Sequence, residues 1–163
     1  MKLNNKGFTL VELLAAMVIL AAIMAIAVPN IMGILNNSKA DAYVEDAKRM
    51  LSLAEYKVRA NPGLRPSTGS CKILLENLDK SEFKNAPNNG TYDLQKSFVV
   101  VTRQDQNGKK NYTYSVTIVE NLENGKGNRG IPIVSYKDLY EKEPSSLIKN
   151  NPTSSSNPKI CGT

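Results

Sequence analysis

Lys6-Gly7-Phe8-Thr9-Leu10-Val11-Glu12 leads straight into an apolar run over residues 13–28, so a single carboxylate stands at the head of a membrane-length segment. An ionised carboxylate in a bilayer costs at least a few kcal/mol at mid-depth and less toward the surface, and such residues tend to be paired and functional. Glu12 is therefore the first residue to explain. As a helix, residues 8–27 would span roughly 30 Å at about 1.5 Å per residue, which matches the hydrocarbon thickness of a bilayer. Residues 1–6 carry two lysines and no acid, the asymmetry of a segment held on the cytoplasmic side. The expected orientation is N-terminus in, remainder out.

A cleaved secretory signal is the competing reading, because Ala25-Ile26-Ala27 fits a small-residue cleavage site after an apolar region. Against it, the apolar pattern continues through Ile31, Met32, Ile34 and Leu35 with Asn30 interrupting, and Glu12 stays unexplained. Leu13, Leu14, Met17, Val18, Leu20, Ile23, Met24 and Ile26 cover the helix nearly all round, which calls for burial on every side, in lipid or among like helices. Ala15, Ala16, Ala21, Ala22, Ala25 and Ala27 let neighbouring helices approach closely. A single-pass anchor for a soluble domain is the other alternative.

Gly7-Phe8-Thr9-Leu10-Val11-Glu12, with Lys6 before it and the apolar run after it, closely resembles the class III leader junction of type IV pilins and the related pseudopilins. In that family a membrane peptidase cuts between Gly and Phe, the new N-terminus is methylated, and the Glu four residues on is needed for assembly. The resemblance implies cleavage between Gly7 and Phe8, N-methylation of Phe8 and an assembly role for Glu12. It covers about the first thirty residues, including Pro29, which stands where the family usually has its helix-kinking proline. Position 49, often a second proline in the family, is Arg here, and the leader is short. The short leader with a lysine- and asparagine-rich chain is similar to the Gram-positive, clostridial type. The implied partners are copies of this chain or other pilins in a helical filament, a prepilin peptidase, a pilus assembly platform and the membrane. The implied itinerary is a single-pass precursor in the cytoplasmic membrane, then an extracellular pilus or the cell surface.

The chemistry of such a cut is coherent. It would place an ammonium on Phe8, one helical turn from Glu12 and on the same face. Desolvation offsets much of the attraction in such a pair, so it serves as a register device, and deleting one partner of a fully buried pair costs about 3 to 5 kcal/mol. In a filament the ammonium of one subunit could instead meet Glu12 of its neighbour and set the axial step.

Further on, Pro29 lacks an amide proton and kinks or interrupts a helix, and Gly33 adds a weak point worth about 1 kcal/mol relative to Ala. Over residues 39–60, Ala40, Tyr43, Val44, Ala47, Met50, Leu51, Ala54 and Val58 recur at three- and four-residue steps, an amphipathic helix whose stripe should pack on a sheet. Asn61-Pro62-Gly63 ends it. Residues 73–83 are expected to form a short helix burying Leu74, Leu75, Leu78 and Phe83. Residues 98–102 and 112–119 are rich in β-branched and aromatic residues and flank a turn signal at 105–109 that contains Asn107-Gly108, which predicts an antiparallel hairpin. Residues 131–136 follow a Gly-rich loop, 124–130, as a third strand, with Pro132 favouring an edge or strand start. Residues 137–141 suit a helical turn, and the Ser/Asn/Pro/Lys-rich tail 144–158 reads as loop.

Cys71 and Cys161 both fall in the part expected outside the cytoplasm, where disulfides persist. Pairing them would close a long loop, worth about 3 to 5 kcal/mol in the chain-entropy model; two free thiols or pairing between chains are the alternatives. The resemblance favours the bond, since many pilins staple their C-terminal segment.

The chain carries a formal net charge of +6 and has a pI of about 9.3. Lys96, Arg103, Lys109, Lys110, Lys126 and Arg129 are candidates for a patch attracting DNA or another anionic surface, although a solvated surface explains them as well. There is no His, which removes the usual general base, and neither a phosphate-binding Gly-rich loop nor a metal-spaced Cys/His cluster is present. Asp79, Glu82, Asp105 and Glu120 would hold calcium only if loops gathered them. An enzyme is not expected, and neither a metal nor a cofactor is implied.

The expected architecture is α+β: a leader at 1–7, a hydrophobic membrane or filament-core helix at 8–38, and an extracellular domain at 39–163 in which a small antiparallel sheet packs on the amphipathic half of the helix. The expected function is structural, a subunit polymerised through its helix for adhesion, motility or surface interaction. A pseudopilin of a secretion or DNA-uptake machine, or an anchored monomeric binding protein, are the rivals.

Overall fold

The computed structural model describes residues 8–153 and 158–162. The chain divides into two compact units, one ending at Asn36 and the other beginning at Asn37, and helix α1, Leu10–Ala60, contributes to both.

In the first unit every large apolar side chain from Phe8 to Leu35 is exposed. Among the described residues, α1 is the one helix long and apolar enough to cross a membrane, with a mean hydropathy of 2.7 over its most apolar window. Helix α1 continues through Pro29, although Pro29 itself has no N–H to donate to the carbonyl one turn back. Asn30, the polar residue in this run, donates from Nδ2 to the Ile26 carbonyl at 3.2 Å, so its amide is partly satisfied by its own helix.

In the second unit α1 buries Ala40, Tyr43, Val44, Ala47, Met50, Leu51, Ala54 and Val58, the stripe that the three- and four-residue spacing marks out. It packs with one face of a sheet through a cluster that includes Ile73, Val99, Val101, Val116, Ile118 and Ile131. Seven strands form that sheet among the described residues: β1 Ser70–Leu74, β2 Thr91–Tyr92, β3 Phe98–Gln106, β4 Lys109–Asn121, β5 Asn128–Ser135, β6 Lys149–Asn150 and β7 Lys159–Ile160. Their order is β6-β5-β4-β3-β1-β7, with β2 also on β4. Leu74, Phe98 and Val100 form a second, smaller cluster with Ile133.

The hairpin is longer than its apolar stretches suggest. Register runs from Phe98↔Thr117 to Gln106↔Lys109, and Asn107 and Gly108 close it at φ 51° and 73°, the left-handed pair that a two-residue type I′ turn requires. Polar residues near the turn pair as strand without burying a face, so hydrophobic alternation does not reveal them.

Several expectations are corrected. Residues 73–83 are not one helix: Ile73 and Leu74 complete β1, and short 3-10 turns follow at Leu75–Asn77 and Lys80–Phe83. Ile73 and Leu75 join the larger cluster while Leu74 joins the smaller, and a strand packed on both faces buries neighbouring residues much as a helix does. The loop expected over 124–130 gives way to β5 at Asn128. There Gly130 is required by close approach, because an added Cβ would lie well inside 3.0 Å of the Ile118 backbone. The tail over 144–158 is not all loop, since it contains helix α3, Pro144–Leu147, and β6, with β7 following just after it. The sheet is mixed rather than antiparallel throughout, because β7 runs parallel to β1 with Cys71 opposite Lys159. Helix α2, Tyr136–Glu141, begins one residue earlier than expected, capped by Ser135.

Candidate functional site

At the start of α1 the Thr9 carbonyl accepts from the Leu13 amide at 3.2 Å, which makes Thr9 the N-cap. Both the Thr9 amide and its hydroxyl donate to Glu12 Oε2 at 2.8 Å. The Glu12 amide donates back to the Thr9 hydroxyl at 3.3 Å. This is a capping box, in which a T-x-x-E sequence satisfies orphan donors of the first turn reciprocally. The sequence reading attended to the carboxylate and missed Thr9, although Thr9-Leu10-Val11-Glu12 carries that signature in full. Glu12 Oε1 has no hydrogen-bond partner among the described residues. The carboxylate is thus aimed at the segment containing Phe8 while keeping one oxygen for another donor.

Phe8 is 90% exposed, and Gly7, the other half of the expected cleavage junction, lies outside the described residues. Pro29 and Gly33 are both interior to α1. Among the described residues, nothing beyond its chain neighbours and the backbone of its own helical turns lies within 4 Å of a Cβ placed on Gly33, so no such contact demands glycine there. In the second unit Cys71 and Cys161 form a disulfide, with Cα atoms 4.9 Å apart and a sequence separation of 90. It joins β1 to the residue after β7, whose strand pairing covers only two residues.

The six cations considered for an anionic surface do not share one environment. Arg103 pairs with Asp105 at 2.8 Å and also donates to the Ser67 carbonyl. Lys96 pairs with Asp93 at 3.3 Å. Lys109 and Lys110 are exposed at the hairpin end, whereas Lys126 and Arg129 line a cleft with Lys39.

The four acids considered for calcium are also separated, with Glu82 exposed in the Lys80–Phe83 3-10 turn. Asp79 caps a 3-10 turn by accepting from the Ser81 amide and hydroxyl, and Asp105 serves Arg103. Glu120 is fully buried and accepts from the Tyr43 hydroxyl, the Asn88 amide and side chain, and the Gly90 amide. It is a structural anchor between α1, the 86–90 turn and β4, which spacing alone could not disclose. No group of three or more potential metal ligands occurs among the described residues.

Comparison with known families adds one finding. Residues 2–28 match the prokaryotic N-terminal methylation motif. The chain therefore carries the class III prepilin leader of type IV pilins, and that leader supports a type IV pilin-like or pseudopilin precursor, a structural rather than catalytic class. No curated protein and no solved structure matches the chain.

Proposed function

We propose that this chain is a structural subunit cut between Gly7 and Phe8 by a prepilin peptidase, methylated on Phe8, held in the membrane by its helix and then polymerised into an extracellular filament. The observation that carries this reading is a methylation motif running directly into a helix whose large apolar side chains, from Phe8 to Leu35, are all exposed. Lipid covers such a surface before assembly, and like helices cover it afterwards. The ammonium created on Phe8 would meet Glu12 in the same chain or in a neighbour, with the capping box holding the carboxylate in place. Pro29 and Gly33 soften the helix, and the vacant space at Gly33 suits close approach by another helix. The disulfide holds the C-terminal segment on the sheet once the second unit is outside.

A pseudopilin of a secretion or DNA-uptake machine shares this processing and differs in abundance. A filament preparation in which the chain is the main component favours a pilus, and adhesion or motility are then its expected outputs. Substituting Gly7 by a bulky residue should leave a membrane precursor that keeps residues 1–7, and normal processing of that variant would overturn the proposed cut.

A further inference from the structure

The second unit contains a cleft of about 360 Å³ lined by Lys39, Lys126 and Arg129 with Asn88, Asn89 and Glu123. We propose that this cleft binds a phosphate-type oxyanion.

Arg129 supplies the first observation, because its Nε is buried and has no hydrogen-bond partner. A buried donor without an acceptor is costly, and the planar guanidinium fork matches phosphate oxygens. Arg129 sits directly opposite Glu120 in the β4–β5 register. Glu120 does not serve it, since the donors held by that carboxylate come from Tyr43, Asn88 and Gly90.

The second observation is the charge around that donor. Ion pairs among the described residues engage Arg59, Lys96, Arg103, Lys137 and Lys142, which leaves Lys39, Lys126 and Arg129 without one. Glu123 is the one acid in the lining, against three cations. The wall is also preorganised. Asn88 is fixed through its backbone and side chain to Glu120, and Asn89 holds a left-handed φ of 64° beside it. A wall already fixed beside a cationic fork loses little freedom when an oxyanion arrives.

A phosphate can come from a lipid headgroup or from solution. Lys39 follows the last exposed apolar residue of the run, Leu35, by one helical turn, where a basic side chain would lie near headgroups. The lipid source rests on the membrane reading above, whereas the cleft chemistry does not.

The test uses the full chain in neutral phosphatidylcholine nanodiscs, titrated with inorganic phosphate against chloride at equal ionic strength while NMR follows Arg129 Nε. A saturable shift with phosphate alone is expected. Arg129→Lys, followed through the backbone amide of residue 129, and separately the pair Lys39→Gln with Lys126→Gln, should weaken it by about ten-fold with the amides of β3, on the far side of β4, unmoved. The lysine pair keeps the test decisive should the Arg129 variant fail to fold. A shift already present in nanodiscs containing phosphatidylglycerol assigns the lipid source; a shift requiring added phosphate in both assigns the soluble one. Equal responses to chloride and phosphate, no saturable shift in either nanodisc, or unchanged binding in folded lysine-pair variants would overturn the proposal.

Discussion

Glu120 stays buried because four hydrogen-bond donations from Tyr43, Asn88 and Gly90 converge on its carboxylate. Removing it in Glu120→Ala leaves the Tyr43 hydroxyl and the Asn88 and Gly90 backbone amides without an acceptor, while the Asn88 side chain keeps the Tyr43 hydroxyl, and should lower unfolding free energy by about 3 kcal/mol or more. Urea denaturation checks this, and a loss below about 1 kcal/mol would contradict the anchoring role. Two surface carboxylates give a pH dependence. Lys142, then Ser135, holds Asp138 below its ordinary value. For Asp93 burial acts upward, but the Lys96 and Gln95 amides and the Lys96 side chain outweigh it, so its value also falls. A depressed folded value means that the stabilisation is complete above the unfolded value of about 3.9 and is lost as pH falls through the lower folded values. The thermal midpoint should therefore drop on acidification below about pH 4, and a constant or rising midpoint would count against these contacts. At this scale the sequence was only partly legible. Glu12 stood out as a charge in an apolar run, yet the role of Thr9 required the capping signature, and that of Glu120 required partners up to 77 residues away.

Elements were more legible where one face is buried. The stripe from Ala40 to Val58 could be read residue by residue, since a helix on a sheet repeats its buried positions at fixed steps. The Asn107-Gly108 turn was legible for a local reason, namely its need for two positive φ values. β1 and β5 were harder. Adjacent residues of β1 serve two clusters, and the start of β5 looks like a glycine loop although Gly130 is buried against Ile118. Gly130→Ala should consequently separate β4 from β5 and destabilise by about 2 kcal/mol or more, as overpacking does. A variant with native thermal stability would show that the two strands can part without cost.

The whole molecule combines a helix bearing an unpartnered apolar surface with a disulfide-closed α+β unit. The β7 pairing was invisible in a Ser/Asn/Pro-rich tail because two residues of strand carry no periodic signal, and the covalent bond beside them holds the segment. Reducing Cys71–Cys161 should cost about 3 to 5 kcal/mol and open residues 158–162 to proteolysis while β3 and β4 persist; equal protease resistance before and after reduction would contradict that role. The central claim is that cleavage before Phe8 yields a methylated helix that polymerises with the help of Glu12. Intact-mass analysis of surface filaments from cells carrying the native chain or Glu12→Ala tests it most directly. The account predicts a native subunit beginning at N-methylated Phe8 and a Glu12→Ala chain that is processed, stays in the membrane and is missing from filaments. A surface protein that starts downstream of Ala27, or abundant filaments built from Glu12→Ala, would contradict it.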